Sequence, residues 1–105
     1  MSYKLTIAAR AERDIDDFLT WLDDYNPATA EEYEDDLYEA IRRNVLPRPH
    51  TWAPFFLTGR PYRGYLYTVS RRTNFWIVYS ISEEDKTVHV LRFWNSARDP
   101  ETFLG

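Results

Sequence analysis

Hydrophobic and polar residues alternate over the first few positions and then change to a helical spacing. In residues 3–8, Tyr3, Leu5 and Ile7 alternate with the polar residues Lys4 and Thr6, which predicts a short strand with one buried face. Further along, apolar residues return at the spacing of a helix that buries one side. These are Ala11, Ile15, Phe18, Leu19, Leu22 and Tyr25. We expect this helix to end before Pro27, because the residue preceding a proline disfavours the helical conformation.

A second helix is predicted directly after the first. Asn26 suits a helix N-cap and Pro27 suits the first helical position. Arg42 and Arg43 then fall in the last turn, where cations are favourable. The apolar positions of this helix are Tyr33, Leu37, Ile41 and Val45. Two helices joined by so short a connection predict an antiparallel helical hairpin.

Residues 46–61 contain four of the six prolines and are predicted to form an ordered but irregular crossing. Four apolar residues in it are too hydrophobic to remain in solvent, and we expect them to pack beneath the crossing as a satellite cluster. They are Trp52, Phe55, Phe56 and Leu57.

The remaining chain has the pattern of three strands separated by turns. Alternating segments cover residues 62–70, 75–82 and 88–95. Short turns between them predict an antiparallel meander, and the first strand joins the same sheet because an isolated strand leaves its backbone groups unpaired. The sequence therefore predicts one α+β domain over residues 1–105, with the helical hairpin packed on one face of a twisted sheet.

The alternation in the last strand assigns some of its residues to a face and leaves Trp94 open. Simple alternation puts Arg92 on the same face as Val88 and Val90, with Phe93 on the other. Phe93 is expected in the core. For Trp94 the pattern leaves two alternatives, a core position or an exposed contact surface.

Composition limits the class of protein. A length of 105 residues fits one globular domain, and an aromatic share of 17% indicates a core built largely from rings. The absence of cysteine excludes disulfides, thiol catalysis and zinc–thiolate sites. We see neither a secretory signal nor an apolar run of membrane length, and we expect a cytoplasmic protein without a membrane partner.

The charge is unevenly distributed. The net charge is −4, but residues 1–45 carry −7 and residues 46–105 carry +3. Six arginines of the second half alternate with tyrosines and tryptophans, a combination that can hold a phosphodiester and stack a base, or can simply occupy a sheet face. These arginines are Arg60, Arg63, Arg71, Arg72, Arg92 and Arg98.

Common enzyme signatures are missing. Three glycines do not make a phosphate-binding loop, and His50 and His89 lack metal-ligand spacing. Adjacent carboxylates such as Asp16 and Asp17 point to different sides of a helix, so they make poor acid–base pairs. We expect neither a cofactor nor a metal.

Several ordered motifs resemble those of the RelE/ParE toxin superfamily. Residues 11–18 read Ala-x-x-Asp-Ile-x-x-Phe after a strand, and Tyr79 precedes an acidic turn. Val-x-Val-Leu follows at 88–91 and Ala-Arg-Asp-Pro at 97–100. The chain is thus similar to this superfamily over nearly its whole length, and closer to the ParE-like branch.

The resemblance implies a cytoplasmic toxin of a type II toxin–antitoxin module, held inactive by a cognate antitoxin. RelE-like members cut mRNA on the ribosome, whereas ParE-like members act on DNA gyrase. Trp76 stands where RelE-like members commonly carry arginine, and Asn95 stands near the place of their base. This departure favours gyrase binding. The alternatives are a ribosome-dependent mRNA endonuclease that uses Arg63, Arg92 or Arg98, and a degenerate, non-toxic antitoxin-binding member.

Two sets of contact residues follow from this interpretation. The predicted target-binding residues are Arg63, Arg71, Arg72, Trp76, Arg92, Trp94, Asn95 and Arg98. The predicted antitoxin-binding residues are Trp21, Tyr25, Tyr33 and Tyr38, provided that they lie on the outer helical face and not in the core. Exposed aromatic residues also favour a homodimer or a higher complex with the antitoxin.

Overall fold

A computed structural model describes residues 3–25, 27–57, 60–68 and 74–95 of the chain. It shows a helical hairpin followed by a β-meander. The elements are β1 (Lys4–Ile7), α1 (Ala9–Tyr25), α2 (Pro27–Ala40), β2 (Ala53–Leu57), β3 (Arg60–Thr68), β4 (Asn74–Ser82) and β5 (Thr87–Asn95). A π-helical turn, Ile41–Val45, continues α2. The predicted α+β class is confirmed, while the proposed N-cap at Asn26 lies outside the described residues.

The five strands form one sheet in the order β1-β5-β4-β3-β2. β2 to β5 are consecutive antiparallel neighbours, and β1 pairs with β5 in parallel. β2 belongs to the segment that was predicted to be irregular, and that prediction is wrong for Ala53–Leu57. Pro54 obscured the strand in the sequence, yet a proline is tolerated here because β2 is an edge strand.

Trp52 belongs to the main core, not to the separate satellite cluster that the sequence suggested. Its indole nitrogen donates to the Asn44 carbonyl at 2.7 Å, and its ring packs edge-on against Tyr65 at 4.8 Å. The side chains of Phe55, Phe56 and Leu57 lie outside the described part of the chain. The crossing is therefore tied to the end of the second helix and to β3.

The core lies between the helical hairpin and one face of the sheet. From the helices it takes Ala11, Ile15, Phe18, Leu37, Ile41 and Val45, and from the sheet Tyr67, Ile77, Tyr79, Val88, Val90 and Phe93. These side chains confirm the apolar stripe predicted for the second helix and the described part of the first helix's stripe, whereas the side chains of Leu22 and Tyr25 lie outside the described residues. Tyr79 is fully buried and donates its hydroxyl to the Pro49 carbonyl at 2.6 Å, and burial raises its pKa.

The π-helical turn lets the second helix end with its apolar side still in the core. The amide of Leu46 donates to the Ile41 carbonyl at 3.0 Å, a bond one residue longer than in an α-helix. Ile41 and Val45 remain buried in this turn. The predicted last-turn cation Arg43 pairs with Glu39 at 2.6 Å, on the exposed side.

Strand β5 contains a β-bulge that reverses the direction of its side chains. Val78 pairs with Arg92 and Tyr79 with Val90, so Leu91 is an extra residue. The prediction that Arg92 shares the face of Val90 is therefore wrong, because one inserted residue exchanges the two faces of a strand. Beyond Leu91, Phe93 points to the core. Arg92 is turned to the opposite sheet face, which we call the outer face.

Candidate functional site

The carboxylate of Asp14 joins the middle of α1 to the edge of β5. Its Oδ2 accepts hydrogen bonds from Arg92 Nε at 2.7 Å and from the Phe93 amide at 3.1 Å. Its Oδ1 accepts a third from Arg92 Nη2 at 3.2 Å. β1 stops pairing at Val90, so Asp14 binds β5 just where the neighbouring strand has ended. The two side chains of the ion pair are only 9% and 18% exposed.

Arg92 also connects this edge to the outer face. Its guanidinium carbon lies 4.7 Å from the ring centroid of Trp94, a cation–π contact. Trp94 and Val78 form the buried part of an outer-face cluster, with Tyr62 and Trp76 packed against it. The Asp14 carboxylate thus compensates the positive charge of Arg92, and the Trp94 ring covers its guanidinium. Through these two contacts the Arg92 side chain supports the outer-face cluster.

A cleft of about 480 Å³ lies between α1 and the second half of β5. Its lining residues are Asp14, Asp17, Phe18, Trp21, Phe75, Arg92, Phe93, Trp94 and Asn95. Three of the rings form its aromatic wall. Phe75 and Phe93 are stacked at 4.4 Å, and Phe18 meets Phe75 edge-on at 4.8 Å.

The predicted target-binding residues are only partly brought together. Arg92, Trp94 and Asn95 share the cleft, and Trp76 pairs across the sheet with Trp94. The expectation that Arg92 and Trp94 form an exposed strand end is wrong, since each is only 7% exposed. The bulge explains it, because it turns Trp94 onto Val78 and lets Arg92 reach Asp14. Their role in target binding stays a prediction.

Arg63 lies apart from that group. It points to the helix side of the sheet and donates from Nη1 to the Trp52 carbonyl at 2.9 Å, which ties β3 to the crossing. It lines a smaller cavity of about 220 Å³ together with His50 and Tyr79. Three further predicted residues, Arg71, Arg72 and Arg98, lie outside the described residues.

The predicted antitoxin-binding aromatics divide between surface and core. Trp21 is 48% exposed and stacks on Phe18 at the cleft. Tyr33 and Tyr38 are half-buried against the core, and burial together with Glu34 raises the pKa of Tyr38. The side chain of Tyr25 is outside the described part. Among the three aromatics whose side chains are described, Trp21 alone has the exposed position that was expected.

Asp14 is the residue that the sequence interpretation missed. It lies on the same helical stripe as Ala11, Ile15 and Phe18, which are all buried. A carboxylate within a buried stripe needs a partner, because burying an unpaired charge is costly. The position of this carboxylate within an apolar stripe was the sequence signal that could have identified Asp14. The Ala-x-x-Asp-Ile-x-x-Phe motif therefore has a physical meaning: three core contacts and one anchor for β5.

Both histidines make side-chain contacts away from the cleft. His50 bonds through Nε2 to Glu83, and His89 bonds through Nδ1 to Thr6 on the outer face. Among the described residues, no three His, Asp or Glu side chains come together as a metal site requires. Nor is any helix in those ranges long and apolar enough to cross a membrane.

The comparison with protein families gives a match over most of the chain. The family model described as the ParE toxin of the type II toxin–antitoxin system parDE matches residues 5–100. It spans every described helix and nearly all of the sheet, including Asp14 and the bulge of β5. No curated protein and no solved structure matches the chain.

Proposed function

Because the chain belongs to the ParE toxin family of type II toxin–antitoxin systems, we propose that it arrests growth by binding DNA gyrase. The chain is the toxin of such a module, and its partner is a cognate antitoxin. The single observation that carries the gyrase proposal is the family match over residues 5–100. The resemblance to ParE-like toxins implies gyrase as the target. This action requires a binding surface and no acid–base pair.

The state of Arg92 supports binding over RNA cleavage. A nuclease needs a cation that can hold a phosphate in the transition state. Arg92 already gives two hydrogen bonds to Asp14, at 2.7 and 3.2 Å, and lies over Trp94. Recruiting it for a phosphate would leave the nearly buried Asp14 without its ion-pair partner, at a cost of several kcal/mol.

We propose that gyrase contacts the outer face around Trp76. Leu66 pairs across the sheet with Trp76 and is 41% exposed. Tyr62 and Trp76 are half-buried, and Trp94 supports them from within the same cluster. Aromatic side chains with a fixed position are favoured at protein interfaces. Arg71, Arg72 and Arg98 remain candidate gyrase contacts by residue type alone, because they lie outside the described residues. Arg63 points to the helix side of the sheet and Asn95 lines the cleft, so neither belongs to this outer-face centre.

Induced expression of the chain without its antitoxin tests the proposal. We expect growth arrest with a DNA-damage response and intact transcripts, and inhibition of plasmid supercoiling by purified gyrase. Arrest with cleaved transcripts would overturn the proposal in favour of an mRNA endonuclease. A folded chain that causes no arrest would overturn it in favour of a degenerate antitoxin-binding member.

Matched variants locate the surface. Trp76→Ala and Leu66→Ala are each expected to weaken supercoiling inhibition about tenfold, the size of an interface hot spot. Trp21→Ala removes an exposed tryptophan from α1 and should leave inhibition within about twofold. Circular dichroism checks that each variant is folded. Equal losses for all three would contradict an outer-face contact.

A further inference from the structure

We propose that the cleft between α1 and β5 anchors the cognate antitoxin, and that it takes an apolar side chain lying next to a lysine or arginine. The proposal rests on membership of a toxin–antitoxin family and does not depend on gyrase as the target. It assigns the cleft and the outer face to different partners. Three observations support the proposal: the shape of the cleft, the edge of β5 that is already bonded to α1, and the charge of the cleft.

The shape of the cleft fits an apolar side chain. Its volume of about 480 Å³ is within the range of pockets that bind small groups through aromatic walls. Phe18 and Phe93 form the floor with ring centroids 5.3 Å apart, and they are only 5% and 4% exposed. Trp21 stands at the rim, 48% exposed. A floor held in the core and an accessible indole at the rim suit an inserted side chain.

The edge of β5 beyond Val90 indicates that the antitoxin is anchored by its side chains and not by an added strand. β1 pairs with β5 only as far as Val90, which leaves the following residues alongside α1. The Phe93 amide there is already bonded to Asp14 Oδ2 at 3.1 Å. A continuous strand added at this edge would have to displace that carboxylate from a nearly buried ion pair. Insertion into the cleft leaves the pair intact.

The charge of the cleft selects a basic partner. Asp14 and Arg92 neutralise each other, which leaves Asp17 as the uncompensated charge among the lining residues. Asp17 is exposed, and it belongs to a half of the chain with a net charge of −7. A lysine or arginine beside the inserted side chain would meet Asp17, whereas the phosphates of a nucleic acid would be repelled. A basic, partly apolar peptide segment therefore fits better than DNA or RNA.

The test measures affinity for the protein encoded by the adjacent reading frame, which the family relationship makes the expected antitoxin. Binding of the full chain is followed by calorimetry for two cleft variants, Trp21→Ala and Asp17→Lys. Each is expected to raise Kd about tenfold or more, as for the loss of an interface anchor or charge contact. Added salt should weaken binding of the wild type more than binding of Asp17→Lys.

Two matched controls lie outside the cleft. Leu66→Ala removes an apolar side chain of similar exposure from the outer face, and Asp16→Lys reverses an exposed charge next to Asp17 on the same helix. Both should keep Kd within about twofold, because surface substitutions away from a contact have small effects. In Asp17→Lys, changing one basic residue of the antitoxin to glutamate should restore affinity and identify the contact.

Three results would overturn the proposal. The first is unchanged affinity for both cleft variants, and the second is equal weakening by the controls. The third is concentration-dependent self-association that Trp21→Ala abolishes while antitoxin affinity is retained, which would assign the cleft to a second copy of the chain. Antitoxin-free inhibition of supercoiling by Trp21→Ala is scored in parallel. Supercoiling inhibition thus tests the gyrase proposal, whereas antitoxin affinity tests the cleft proposal, so that failure of either one is distinguishable.

Discussion

The two halves of β5 have different neighbours although they belong to one strand. Thr87–Val90 is paired on both sides, with β1 and with β4. Arg92–Asn95 keeps β4 but has α1 in place of β1, and it lines the cleft. Leu91, the bulge residue, separates them. A single inserted residue thus ends the regular sheet and begins the candidate site, as bulges commonly do near functional residues.

Each half also has a carboxylate–cation contact of the same length in a different environment. Near the first half, Lys86 Nζ lies 2.7 Å from Glu83 Oε2, and both side chains are about half exposed. In the second half, Arg92 Nε lies 2.7 Å from Asp14 Oδ2, and both side chains are largely buried. Water screens the first pair, so its contribution to stability is small. In the second pair, loss of one partner leaves a buried charge uncompensated.

Removal of the Asp14 carboxylate should break the contrast between the two halves of β5 and have the largest effect. Asp14→Ala removes the carboxylate that pairs with the Arg92 guanidinium and accepts from the Phe93 amide. We expect a loss of about 3–5 kcal/mol in the free energy of unfolding. Asp16→Ala, an exposed position on the same helix, should change it by no more than about 0.5 kcal/mol.

A double variant distinguishes loss of the ion pair from simple damage to the helix. Asp14→Ala combined with Arg92→Met removes both charges, and it should be more stable than Asp14→Ala alone. If Asp14→Ala costs less than about 1 kcal/mol, the pair is solvated in solution, and the contrast between the halves of β5 is structural only.

The sequence predicted the parts of the fold that depend on repeated patterns. The stripe of Ala11, Ile15 and Phe18 identified the first helix, and the alternation of Ile77 and Tyr79 identified the core face of β4. These signals are strong because many residues report the same period. The motif spacing also identified the superfamily, and the family match confirms it.

The sequence did not predict the bulge, and with it most of the candidate site. Leu91 and Phe93 are both apolar, so an inserted residue leaves no visible break in the alternation of β5. Asp14 and Arg92 are 78 positions apart, and only the fold brings them together. The exposed strand end predicted from Arg92 and Trp94 failed for this reason. Features that depend on one residue, or on distant partners, leave little trace in periodicity.

Substitution of Glu83 should have the smallest effect, and its pH dependence sharpens the contrast. Glu83 accepts hydrogen bonds from Lys86 Nζ and from the Tyr3 hydroxyl at 2.7 Å each, and it contacts His50. The hydrogen bond from Lys86, then those from Tyr3 and His50, lower the pKa of Glu83 from 4.5 to about 2. The folded chain therefore binds this proton less readily than the unfolded chain does.

Because the folded pKa is the lower one, the contribution of Glu83 to stability is present above pH 4.5 and is lost as the pH falls toward about 2. Glu83→Gln should thus be less stable than the wild type at pH 6, with the gap closing by about pH 2. Urea unfolding across this pH range measures the gap, and Glu84→Gln, an exposed neighbour in the same turn, should show none. A gap at pH 6 as large as that of Asp14→Ala would contradict the comparison, because it would mean that solvent does not weaken the exposed cluster.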